Sequence, residues 1–118
     1  MPTAAEILRE LVAVPSVSAL SNLPLLDTVT SLIERHGWET RRFPFLAGDR
    51  VEKANLLAVP RQFVSSLPDL DLLFVCHTDT VPYRHDWPSA TRLEERDGFL
   101  HGCGACDVKG AKIGLTRG

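Results

Sequence analysis

Leu72-Leu73-Phe74-Val75-Cys76-His77-Thr78-Asp79-Thr80-Val81-Pro82 is the stretch on which the fold turns. Its first five residues are apolar at every position. A short apolar run without alternation, bounded by polar residues, predicts a strand buried on both faces. Such strands belong to parallel or mixed sheets with helices on both sides. The run ends at His77-Thr78-Asp79. That places two chemistry-bearing side chains at the carboxyl end of the strand, where open α/β sheets bind their ligands. In extended chain, residues two apart face the same side. Asp79 can therefore reach one ring nitrogen of His77 while the other faces a metal. A carboxylate in that position fixes the tautomer and makes the imidazole a better ligand.

Taken alone, His-x-Asp also describes an ordinary polar turn. A second carboxylate changes its meaning. Asp107 lies in Gly102-Cys103-Gly104-Ala105-Cys106-Asp107-Val108-Lys109-Gly110, again between a strand and a helix start. Glycines let the backbone turn tightly and bring the Asp side chain inward. Both loops can meet at the same edge of one sheet.

Outward from these loops the chain reads as follows. Thr3 and Glu6 form a capping box before the helical stripe Ile7, Leu8, Leu11, Val12, Val14, which Pro15 ends. A second helix is predicted from about Pro24 to His36, with Gly37 in the left-handed position that closes it. Trp38 to Phe45 and Asn55 to Val59 read as strands around an Ala47–Arg50 turn. Arg61 to Asp71 reads as a loop. Thr91 to Arg96 and Gly98 to His101 are two short strands, with Asp97-Gly98 as a hairpin signal. A helix start is predicted from Lys109. The fold class is thus α/β, a mixed β-sheet flanked by helices.

Composition excludes several functions. The chain has 118 residues, 44% apolar and 24% charged, as expected of one small globular domain. A net charge of −2 gives no electrostatic case for nucleic acid or an anionic membrane as partner. No apolar run approaches the roughly 20 residues of a membrane helix. The start lacks a basic segment followed by a long apolar one, so no signal peptide is expected. An odd count of three cysteines argues against a secreted disulfide framework and for the cytoplasm.

His77-Thr-Asp-Thr-Val-Pro82, Trp87, Asp97-Gly98 and Gly102-x-Gly104-Ala105-x-Asp107-x-Lys109-Gly110, in this order and spacing, resemble the metallopeptidase family M20 over about residues 72 to 112. Pro15-Ser16-Val17-Ser18 with Ser21-Asn22-x-Pro24-Leu25 is similar to the family's opening, and most to its acetylornithine deacetylase branch. The resemblance implies a partial zinc-peptidase-like catalytic domain. His77 would be a zinc ligand, Asp79 the catalytic residue that orients it, and Asp107 the carboxylate bridging two zinc ions, with cobalt as an alternative metal. The reaction would be hydrolysis of the amide of a small N-acyl amino acid, as in arginine synthesis. A succinyl-diaminopimelate desuccinylase-like deacylase or a dipeptidase is the alternative within the family. A non-catalytic remnant that only binds a partner is the alternative outside it.

The family's adjacent glutamate pair (general base and metal ligand), a further carboxylate and a late His would fall beyond Gly118. Residues 1–118 are accordingly expected to be the N-terminal portion of the catalytic domain, without the lid or dimerisation domain of a homodimeric relative. With about two metal ligands where zinc takes three or four, the 118-residue chain is expected to bind zinc weakly and to be inactive. Glu94-Glu95 precedes Asp107 and reads as a solvated hairpin pair. Cys103-x-x-Cys106 also fits a redox pair or half a zinc knuckle, but neither explains the surrounding Gly-x-Gly-Ala-x-Asp-x-Lys-Gly pattern. Lys109 reads as a local cap or ion-pair partner, and Trp87 as a packing anchor for its loop.

Overall fold

The computed structural model describes residues 2–69 and 71–110. Helix α1 spans Ala4–Ala13. Its capping box is formed: Glu6 N–H donates to Thr3 Oγ1 at 3.2 Å and Thr3 N–H to Glu6 Oε2 at 2.6 Å. These bonds satisfy two backbone groups that have no partner inside the helix. Helix α2 spans Leu23–Glu34, with Pro24 in its first turn, and the chain leaves it through Gly37 at φ +81°.

Ile7 and Leu11 of α1 pack against Leu25 and Leu32 of α2, with Val14 and Val29 beside them. An adjacent stripe of α1, Leu8 and Val12, packs against Leu93 and Ala105. Helix α1 therefore stands between α2 and the glycine-rich loop. The loop is drawn close: a Cβ on Gly102 would lie 2.8 Å from Val12 Cγ1.

Strand β1 (Trp38–Leu46) pairs antiparallel with β2 (Glu52–Pro60), in register from Trp38–Pro60 to Leu46–Glu52. Strands β3 (Glu94–Arg96) and β4 (Phe99–His101) form a second antiparallel ribbon. Asp97 and Gly98 join them with φ of +53° and +77°, the geometry of a tight hairpin turn with both central residues left-handed. The α/β class holds, with the described strands forming two separate two-stranded ribbons. A parallel bridge between Val17 and Thr80 adds one contact of the other sense. Arg61–Asp69, expected as loop, winds into a 3-10 helix.

The central strand expectation fails along the whole run, Cys76 included. Leu72, Leu73, Phe74 and Val75 are 68, 72, 72 and 86% exposed, and no strand pairs with them among the described residues. A continuous apolar strand is buried only when strands flank both edges and helices cover both faces. Here backbone pairing begins only at Thr80, where Thr80 N–H donates to the Ser16 carbonyl and Ser18 N–H to the Thr80 carbonyl. The helix expected beyond Lys109 falls on residues 111–118, outside the described residues.

Candidate metal site

Two loops form the site. The first, from His77 to Thr80, is held by the N-terminal segment. Asn22 is buried at the start of α2 but makes no capping bond. Its amide instead donates to the Ala54 carbonyl at 2.8 Å and to Thr78 Oγ1 at 3.0 Å, and its oxygen accepts from Ala54 N–H at 3.0 Å. One side chain thus ties α2, β2 and the loop after the apolar run. Ser18 Oγ donates to Asp79 Oδ2 at 2.6 Å.

The second loop carries Asp107. Cys103 N–H donates to the Ala90 carbonyl at 2.9 Å, and the Cys103 thiol lies 3.7 Å from the Val81 carbonyl. Gly104 is left-handed at φ +73°, and a Cβ there would lie 2.6 Å from Thr80 Cγ2. The contact between the two loops thus needs glycine for both conformation and space. From Gly104 the chain makes a wide turn, in which Lys109 N–H donates to the Gly104 carbonyl and Gly110 N–H to the Ala105 carbonyl. Wide turns of this kind recur at functional sites. Asp107 projects from it, its side chain 86% exposed. Lys109, expected to act locally, is buried and reaches 95 residues back to donate from Nζ to the Val14 carbonyl at 2.9 Å. This bond fastens the Asp107 turn to the end of α1.

His77 stands between the two carboxylates. Its Nδ1 lies 2.9 Å from the Asp79 carbonyl oxygen and 3.1 Å from Asp79 Oδ1. Its Nε2 lies 2.8 Å from Asp107 Oδ1. The hydrogen bond to Asp107 chiefly, and the Asp79 carbonyl and both negative charges in addition, hold the His77 pKa above the ordinary imidazole value, against an opposing cost of burial. Asp79 is held below the usual carboxylate range, first by the Ser18 hydroxyl bond and then by its own backbone N–H and His77, against an opposing cost of burial.

This arrangement favours a positive charge. With Nδ1–H donated to Asp79, a neutral ring turns the Nε2 lone pair toward a carboxylate oxygen, acceptor against acceptor. Either a second proton makes His77 an imidazolium, or a cation takes that proton's place. The donor set, one imidazole nitrogen and one carboxylate oxygen with a carboxylate behind the ring, is of the kind zinc binds. Both donors are exposed enough for their separation to adjust. The three residues open onto a cleft of about 310 Å³, shared with Ser18, Thr80 and Cys106. Among the described residues no group of three or more His, Cys, Asp or Glu side chains is gathered to hold a metal.

The structure brings two candidate ligands together, His77 Nε2 and Asp107 Oδ1, with Asp79 behind the ring on Nδ1. The cysteines do not join them as a redox pair: Cys76, Cys103 and Cys106 are all free, with Cys103 buried and the other two exposed. Glu95 is exposed on β3 and Glu94 half-buried there. Trp87 packs edge-on to Tyr83 at 6.5 Å, within its own loop. Ser18 and Asn22 carried no assigned role in the sequence reading. An Asn before a helix signals a cap, and nothing local signals a bond to residue 78.

The chain matches the model of peptidase family M20/M25/M40 over residues 73–117, the segment that holds both loops. It is 42% identical over 110 residues to an acetylornithine deacetylase of Myxococcus xanthus, covering 93% of this chain and 28% of that protein. It is 34% identical over 118 residues to an acetylornithine deacetylase of Photorhabdus laumondii, covering 93% of this chain and 29% of that protein. A succinyl-diaminopimelate desuccinylase of Beijerinckia indica is 35% identical over 119 residues, covering 97% of this chain and 29% of that protein. The chain spans under a third of the length of these curated relatives. The resemblance drawn from the two motifs is borne out in both the family and the relatives it named.

Proposed function

We propose that residues 1–118 are the N-terminal portion of the catalytic domain of a metal-dependent hydrolase that cleaves an N-acyl amide bond, most like an acetylornithine deacetylase. The observation that carries this reading is the approach of His77 Nε2 to Asp107 Oδ1 at 2.8 Å with Asp79 on the far side of the ring. The similarity of the chain to acetylornithine deacetylases supports the substrate, and its similarity to a succinyl-diaminopimelate desuccinylase favours that deacylation as the second reading.

In this reading His77 Nε2 and a carboxylate oxygen of Asp107 would hold a zinc ion. Asp79 accepts the Nδ1–H of His77, which keeps the lone pair on Nε2. Asp107 would be the carboxylate shared with a second zinc. The chemistry such metals supply is acidification of water and polarisation of the amide carbonyl. The remaining ligands and the general base belong to protein outside these residues, as does a dimer surface. The products would be ornithine and acetate, in cytoplasmic arginine synthesis, and the exposed cleft suits a small N-acyl amino acid.

The test is hydrolysis of N-acetylornithine and of N-succinyl-diaminopimelate by a full-length protein carrying these residues, with zinc or cobalt supplied. Turnover of the first that disappears in His77→Ala and Asp107→Ala supports the proposal. Metal-independent turnover, or turnover indifferent to both substitutions, defeats it.

A further inference from the structure

We propose that Ser18 is a positioning residue for the metal site, acting on His77 through Asp79. The inference rests on the reading of His77 as a metal ligand and adds a residue outside the two motif loops.

Ser18 is held by backbone before its side chain acts. Its N–H donates to the Thr80 carbonyl at 3.1 Å, and two residues earlier the Ser16 carbonyl accepts from Thr80 N–H at 2.9 Å. Lys53 Nζ donates to the Ser18 carbonyl. These bonds fix where the Ser18 hydroxyl stands relative to Asp79. The hydroxyl has one proton and two acceptors in reach, Asp79 Oδ2 at 2.6 Å and the Thr80 carbonyl at 3.1 Å. The shorter bond runs to a charged oxygen, and charge-assisted bonds are both shorter and stronger. The proton therefore goes to Asp79.

That bond divides the labour of one carboxylate. Oδ2 is taken by Ser18, so Oδ1 is the oxygen left to meet His77 Nδ1, at 3.1 Å. Without the hydroxyl, the partly exposed carboxylate is free to turn about its terminal torsion, which is broad in aspartate. Of its two acceptors on Asp79, His77 Nδ1 would then keep only the backbone carbonyl at 2.9 Å, so the preference for hydrogen on Nδ1 would weaken and hydrogen on Nε2, facing Asp107, would gain. A ring protonated on Nε2 has no lone pair for a metal there. Ser18 is itself exposed, so its truncation removes no core packing.

The experiment compares the chain with Ser18→Ala and Ser18→Thr in two measurements. The first is the nitrogen-15 NMR pattern of the His77 ring in zinc-free protein, at one pH where the ring is neutral, which reports the share of each tautomer. The second is zinc affinity by calorimetry. Ser18→Ala should lower the Nδ1–H share and weaken zinc by about three- to tenfold, below the range seen for direct partners of a ligand. Ser18→Thr, which keeps the hydroxyl, should restore both. Unchanged tautomer and affinity in Ser18→Ala would overturn the proposal. So would equal loss in Ser18→Thr with its melting temperature preserved. If the parent chain takes up no zinc at all, the metal reading fails, while the tautomer comparison still decides the role of Ser18.

Discussion

His77 Nε2 and Asp107 Oδ1 stand 2.8 Å apart across 30 residues of sequence, with the other ring nitrogen already committed to Asp79. An imidazole held between two carboxylates is stabilised by a proton on each nitrogen or by a cation that shares one side.

Proton and metal should compete for Nε2. The sign for the zinc-free chain follows from the raised His77 pKa. The stabilisation from His77 is fully present below the ordinary imidazole value of about 6.5 and is lost as pH rises through the folded value. Asp79, whose pKa is lowered, contributes in the opposite sense: its stabilisation is present above the ordinary carboxylate value and is lost as pH falls. Zinc affinity should increase with pH by about tenfold per unit below the folded His77 value and then level off. Calorimetric titration at several pH values between 5.5 and 8.5 checks this, and an affinity independent of pH across that range would speak against Nε2 as the ligand atom.

Asp107→Asn removes the negative charge and leaves the shape. Asp107 is the largest influence raising the His77 pKa, so that pKa should fall toward its ordinary value. Zinc binding should be lost to calorimetry. Because the Asp107 side chain is largely solvent-exposed, the zinc-free melting temperature should change little at pH 8, where His77 contributes least. A substantial fall there would assign Asp107 a structural role.

Gly104→Ala should disturb fold and site together. It imposes φ +73° on a residue with a Cβ and drives that Cβ to 2.6 Å from Thr80 Cγ2. Overpacking of this kind costs about 1–3 kcal/mol, with the left-handed conformation adding about 1 kcal/mol. Denaturant melts give the stability loss. Zinc titration should show a larger fractional loss, since Thr80 adjoins Asp79. Retention of both would show that the two loops can separate without consequence.

Lys109→Met removes the donor to the Val14 carbonyl while keeping the volume of the stem. Leaving a carbonyl without that bond costs about 1–3 kcal/mol when it is buried. The expected outcome is a lower melting temperature together with weaker zinc binding, because the same bond holds the Asp107 turn against α1. Weaker zinc binding without loss of stability would mean that Lys109 acts on the site directly.

What could be read from the sequence was what local chemistry decides. Thr3 and Glu6 form their box because three residues of helix bring them together, and Asp97-Gly98 turns because both positions tolerate positive φ. The approach of His77 to Asp107 was legible from the residue types and the glycines around the second acid. Leu72 to Val75 misled because burial is a property of the partners as well as of the run itself. Ser18 and Lys109 were illegible as site residues because their contacts lie 61 and 95 residues away, and no periodicity encodes such distances. Asn22 was legible only as part of a motif, and its bonds to Ala54 and Thr78 join segments 32 and 56 residues away.

The geometry of His77 Nε2 and Asp107 Oδ1 predicts a cation between them. Nitrogen-15 and carbon-13 NMR during zinc titration tests it most directly, by following the His77 ring nitrogens and the Asp107 carboxylate carbon in one experiment. Zinc should move the Nε2 and Asp107 carboxylate resonances together, while Nδ1 keeps its hydrogen. Zinc that shifts Nδ1, or that perturbs Cys103 and Cys106 and leaves these two groups unmoved, would contradict it.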